Sequence, residues 1–148
     1  MTSRILIAVI ALTAFGIRTD AVGWQDSETY SRFDFYDGTR EARETRTILD
    51  NLAKQLNTQA TLRGYLIAYA GKEACRNEAK FRLREAKRYL KEKHNIGSAQ
   101  LTLVDGGYKT DWVVQIWIGF RQNNSPEKEP TLNKNEVRIM KNCKIEKL

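Results

Sequence analysis

Apolar positions along this chain change their spacing several times, and each change marks an element. Residues 32–36 read RFDFY, with Phe33 and Phe35 on one face and charges between them, which predicts a short strand. Asp37-Gly38 ends it, and Thr39 is the expected N-cap of a helix over residues 41–56. There Ile48, Leu49, Leu52, Ala53 and Leu56 recur at three- and four-residue steps, one apolar helical stripe. Residues 62–70, LRGYLIAYA, are nearly continuous in apolar character and rich in strand formers, the pattern of a central strand buried on both faces. Gly71 breaks that run.

A second helix is expected over residues 74–93, with Ala79, Leu83, Ala86 and Leu90 as its core stripe and Asn95-Ile96-Gly97 as its stop. Leu101 and Leu103 alternate with polar neighbours in a strand expected to end at the turn Asp105-Gly106-Gly107. Trp112, Val114, Ile116, Ile118 and Phe120 alternate over the longest strand, which puts Trp112 and Trp117 on opposite faces. Residues 122–130 form a polar linker with Pro126 and Pro130, and residues 137–145 are expected as an edge strand. Strand, helix, strand, helix, strand, strand implies an α+β domain with a mixed sheet and both helices on one face.

The first residues do not fit this scheme. Arg4 precedes the unbroken apolar run ILIAVIALTAF, too short for the roughly 20 residues of a membrane-spanning helix but suited to a secretory signal peptide. Ala21-Val22-Gly23 supplies small residues for cleavage before Trp24; cleavage after Ala21 and an uncleaved anchor are the alternatives. The chain thus divides into a signal peptide (residues 1–23), a folded domain (24–121), and a polar linker with a C-terminal edge segment (122–148). The exported product has no membrane span. Cys75 and Cys143 are the only cysteines, and in an oxidising compartment an even count favours a disulfide. Two unrelated buried thiols are the alternative.

Charge and chemistry narrow the function without naming it. The 148 residues carry a net charge of +7, which favours anionic partners. Nine basic and four acidic residues fall between Lys72 and Lys93, either an ordinary solvated face or a dock for carboxylates or phosphates. Nucleic acid fits poorly with an exported chain. His94 is the sole histidine and belongs at a helix end, and no carboxylate falls in an apolar setting that would tune it as a catalytic acid. No phosphate-cradling loop or metal-ligand spacing is present in the sequence, so the expectation is a non-enzymatic protein without a cofactor or metal.

Taken together, FDF at residues 33–35 with ILDNLAKQL after it, GYLIAYAG at residues 64–71, LREAKRYLKEKHNI at residues 83–96, and LTLVDGG followed by WVVQIWI resemble a known domain. It is the peptidoglycan-binding domain at the C-terminal end of outer membrane protein A, and the likeness spans residues 32–120. The resemblance implies a β-α-β-α-β-β fold, a periplasmic setting and a cell-wall partner, peptidoglycan or another envelope component. It also implies a grip on the free carboxylate and amine of diaminopimelate, through an arginine in the second helix and an aspartate after the second strand. Aligning Tyr89-Leu90 with the family's tyrosine-leucine places Arg82 at the arginine position and Gly71 at the aspartate position, with Glu73 as the acid that can stand in. With that pair half filled, the resemblance implies weakened binding. The other expectation is an interaction or structural module that keeps the fold and has lost wall binding. Arg82 lies off the core stripe, so its replacement is expected to leave the fold intact.

Overall fold

The computed structural model describes residues 30–148, so the signal-peptide reading of residues 1–23 lies outside the described residues. The chain runs β1 (Ser31–Asp37), α1 (Ala42–Thr58), β2 (Leu62–Ala70), β3 (Glu73–Cys75), α2 (Glu78–His94), β4 (Leu101–Tyr108), β5 (Val113–Phe120) and β6 (Arg138–Met140). Single 3-10 turns precede β4 and β6, at Ser98–Gln100 and Lys134–Glu136. The apolar run of β2 is central, parallel to β4 on one side and antiparallel to β5 on the other. β1 joins antiparallel to β5, giving the mixed order β1-β5-β2-β4. The α+β class and the mixed sheet are those the periodicity implies.

Leu66, Ala68, Ala70, Val114 and Ile116 of the sheet form one buried cluster with the apolar stripes of both helices. Burying a Leu or Ile side chain is worth roughly 1.5–3 kcal/mol, so this layer dominates the stability of the domain. The opposite face of β2 carries Tyr65, Ile67 and Tyr69, also buried, and the polar linker covers it. Tyr65 donates its hydroxyl to the carbonyl of Phe120 or Asn123, each 3.1 Å away. Tyr69 accepts from the Glu129 amide at 3.0 Å, and Pro126 is buried between them in sequence. The segment after Phe120 is thus packed on the sheet rather than trailing from it.

Several local expectations need correction. Thr39 does not cap α1. Its amide and hydroxyl both bond Asp37 Oδ1, at 3.0 and 2.6 Å, and Glu41 is the N-cap, its amide donating to Glu44 Oε2. In β1 a register shift between Arg32 and Asp34 breaks the simple alternation. Such a shift changes which face the following side chains occupy. Phe33 packs on the core, but Phe35 is exposed beneath the guanidiniums of Arg32 and Arg40, and Tyr36 is buried in its place.

Asp105-Gly106-Gly107 is a bulge inside β4, not the end of it. Ala68 pairs with Asp105 and Tyr69 with Gly107, which leaves Gly106 as the extra residue. A Cβ on Gly106 would stand 2.5 Å from the Tyr69 ring, and Gly107 has φ +93, so both positions require glycine. The turn into β5 follows Tyr108 instead.

Residues 74–77 are not helical. Asn77 is left-handed at φ 61, which sets the start of α2 at Glu78, and the residues before it pair as β3 with β6 in a small parallel sheet. The expected strand over residues 137–145 is therefore only three residues long and lies off the main sheet. Cys75 and Cys143 form a disulfide, with Cα atoms 5.7 Å apart, which fastens that sheet and the chain end to the start of α2. A disulfide fits an oxidising compartment. Among the described residues no helix is long and apolar enough to cross a membrane.

At its other end α2 stops as expected, with Asn95 left-handed at φ 55. His94 lies against Asp50 of α1, Nε2 to Oδ1 2.7 Å, and Tyr89 and Lys93 also donate to that carboxylate. Desolvation pushes the Asp50 carboxyl up, but the hydrogen bonds from Tyr89, His94 and Lys93 outweigh it and hold it below the usual value of 3.8. A folded-state value below the unfolded one adds stability above about pH 4 that is lost as pH falls through the depressed value. Asp50→Asn is expected to lower Tm at neutral pH. Thermal melts of the variant and the wild type should converge as the buffer pH is taken down through the depressed Asp50 value.

Candidate functional site

The residues flanking the α2 stripe build the most distinctive site. Glu78 and Arg82 stand one helical turn apart, beside Ala79 and Leu83, so their side chains run along the edge of the core. Arg82 donates from Nε and Nη2 to Glu78 Oε1, at 3.2 and 2.7 Å. The two side chains are only 13% and 7% exposed. The Arg82 guanidinium lies over the Trp112 ring, 3.3 Å from its centroid. Burial lowers the Arg82 pKa from its ordinary value, opposed by the hydrogen bond and charge of Glu78. The geometry corrects one expectation: Arg82 is packed into the structure, and its removal would leave a buried carboxylate without its partner.

A cleft of about 330 Å³ opens in front of this group. Tyr36, Asp37 and the β1–α1 turn form one wall, Arg82, Glu85 and Trp112 another, and residues 144–148 a third. The Tyr36 ring meets the Trp112 ring edge to face, with centroids 6.4 Å apart. Tyr36 is 2% exposed, and its hydroxyl has no hydrogen-bond partner among the described residues. Burial pushes its phenol far above the ordinary tyrosine range, against the pull of the Arg82 charge, so it is a neutral donor at any physiological pH. The Nη1 edge of Arg82 has no partner among the described residues either. Both cations (Arg40, Lys144 and Lys147) and carboxylates (Asp37, Glu85 and Glu146) line the cleft.

Of the residues singled out in the sequence, Arg82 lines the cleft and Gly71 lies behind it without lining it. Gly71 abuts the backbone of Trp112, whose ring carries Arg82; a Cβ on Gly71 would lie 3.3 Å from the Trp112 nitrogen. Its φ lies outside the left-handed range, so only this close approach opposes a side chain there. Glu73 is elsewhere, on β3, exposed and 3.7 Å from Arg138 in a weak surface pair, and it does not line the cleft. Cys75 and Cys143 act on the cleft indirectly, by holding the segment that continues into residues 144–148.

Sequence reasoning missed Tyr36, Glu78 and Trp112 as partners of Arg82. The i, i+4 spacing of Glu78 and Arg82 was a usable signal. Tyr36 was hidden by the irregular register of β1. The absence of carboxylates from apolar settings also fails at Glu78, which is buried but paired. Among the described residues no group of three or more His, Cys, Asp or Glu side chains is placed to hold a metal ion. No protein-family model, curated protein or solved structure matches the chain.

Proposed function

We infer that this chain is an exported, non-enzymatic periplasmic domain, similar to the C-terminal domain of outer membrane protein A, that associates with peptidoglycan through the Arg82 cleft. The observation that carries this reading is the buried, unpartnered hydroxyl of Tyr36, a residue that lines the cleft together with Arg82, whose Nη1 is unpaired among the described residues. Leaving a buried hydroxyl unbonded costs about 1–3 kcal/mol, so its retention calls for an acceptor. A stem-peptide carboxylate can accept from the Arg82 edge, and from the Tyr36 hydroxyl once a shift of the cleft wall uncovers that buried group. The ligand amine then needs an acid other than the one missing at Gly71, and Asp37, Glu85 and Glu146 line the same cleft.

The second reading, an interaction module without wall binding, is favoured by the Glu78 carboxylate, which already occupies the Nε–Nη2 edge of Arg82. The test between them is co-sedimentation of the purified oxidised domain with peptidoglycan sacculi. Sedimentation that free diaminopimelate competes away supports the first reading; a domain left in the supernatant supports the second.

Tyr36→Phe separates binding from folding. Removing an unsatisfied hydroxyl is expected to raise unfolding free energy by about 1 kcal/mol, seen as a higher midpoint in urea, while retention on sacculi falls. A hydroxyl with only a structural role would show the opposite, lower stability with unchanged retention.

A further inference from the structure

A second concavity, of about 500 Å³, lies between the start of α2 and the C-terminal segment. Its lining is Arg76, Asn77, Tyr108, Lys134, Ile139 and Lys141. The three cations come from three separate segments: the turn before α2, the 3-10 turn before β6, and the residue just after β6. No acid lines the concavity, and none of the three has an ion pair among the described residues. The nearby carboxylates are engaged elsewhere, Glu73 with Arg138, Glu78 with Arg82, Glu136 with the amide and side chain of Asn133, and Asp105 with the Gly107 amide.

Gathering three like charges around a hollow is unfavourable unless an anion offsets it. The gathering is nonetheless fixed by two constraints, the β3–β6 pairing and the Cys75–Cys143 bridge, which join the segments that carry Arg76 and Lys141. The floor is not purely polar. Ile139 is 39% exposed, one of the few large apolar side chains at the surface, and half-buried Tyr108 lies beside it. The volume falls in the range of small-molecule sites, roughly 300–1,000 Å³, and is larger than a bare phosphate fills.

We propose that this concavity binds a phosphate ester whose organic body rests on Ile139 and Tyr108. Arg76 supplies the planar fork for two phosphate oxygens, and Lys134 and Lys141 act as point charges. The same chemistry is presented by a soluble phosphorylated molecule and by a phospholipid headgroup. The site is separate from the Arg82 cleft and does not depend on wall binding.

The test is calorimetric titration of the oxidised domain with phenyl phosphate and with inorganic phosphate, beside flotation with phosphatidylcholine vesicles containing phosphatidylglycerol. Phenyl phosphate is expected to saturate the protein and to bind more tightly than inorganic phosphate. Arg76→Ala and Lys134→Ala, both at exposed positions, should each weaken it about tenfold to hundredfold, and Lys54→Ala on α1 should leave it unchanged. Flotation lost in the same two variants assigns the ester to a lipid headgroup; titration without flotation assigns it to a soluble ligand. The proposal is overturned if neither probe binds, or if Lys54→Ala weakens binding as much as Arg76→Ala, since that would be a net-charge effect.

Discussion

Replacing Cys75 and Cys143 together by serine is expected to lower the unfolding free energy by about 4 kcal/mol, the figure that loop-closure entropy gives for a bridge of this span. The two residues are 68 apart in sequence, and the loop they close contains α2, β4 and β5. In the unfolded chain the bridge removes many extended states; in the folded chain it joins two segments already paired through β3 and β6. The loss should therefore appear as a lower denaturation midpoint, with the four-stranded sheet retained in the native baseline. Guanidinium titrations of the oxidised protein and the double variant measure it. Equal midpoints would mean that the bridge does not form in solution. A domain of this size has a total stability of about 5–15 kcal/mol, so the change is a large fraction of the whole.

The bridge was legible in the sequence because an early apolar run that reads as an export signal and an even cysteine count together point to a disulfide. What it joins was not. Residues 74–77 continue the helical spacing of α2 in the sequence, and only the left-handed Asn77 and the pairing with β6 show where the helix begins. The central strand was legible because a continuous apolar run allows little else, and the helices because their stripes repeat over several turns. Short alternations were less informative. A single register shift in β1 exchanged Phe35 for Tyr36 in the core, and Asp105-Gly106-Gly107 reads alike as a turn or a bulge until Tyr69 is seen against Gly106. At the site, Arg82 was found through resemblance, whereas its partners come from β1, α2 and the β4–β5 turn and meet only on folding.

The second large effect is expected at Glu78. Glu78→Ala leaves the Arg82 guanidinium largely buried without its counter-charge, and breaking one side of such a pair costs about 3–5 kcal/mol. Arg82→Ala should cost a similar amount by orphaning Glu78, which is 7% exposed. The pair is not irreplaceable for stability. Glu78→Leu combined with Arg82→Met keeps the volume and removes both charges, and it should recover most of the loss. Urea denaturation of the three variants gives a direct comparison. If Glu78→Ala proves nearly neutral, water reaches Arg82 in solution and the close pairing with Trp112 is weaker than the geometry implies. The stable double variant also provides a folded protein whose cleft lacks the Arg82 guanidinium and keeps only that of Arg40.

The Arg82 cleft as a carboxylate site is tested most directly by the affinity of the domain for a soluble diaminopimelate-containing stem peptide, measured for the wild type and for Arg82→Lys. Lysine keeps the positive charge for Glu78 and so preserves the fold, but it cannot offer a second planar edge to a ligand carboxylate. The account predicts saturable binding by the wild type and about tenfold weaker binding by the variant, the equivalent of about 1.4 kcal/mol. Equal affinity in the two proteins, or no binding by the wild type, would contradict it.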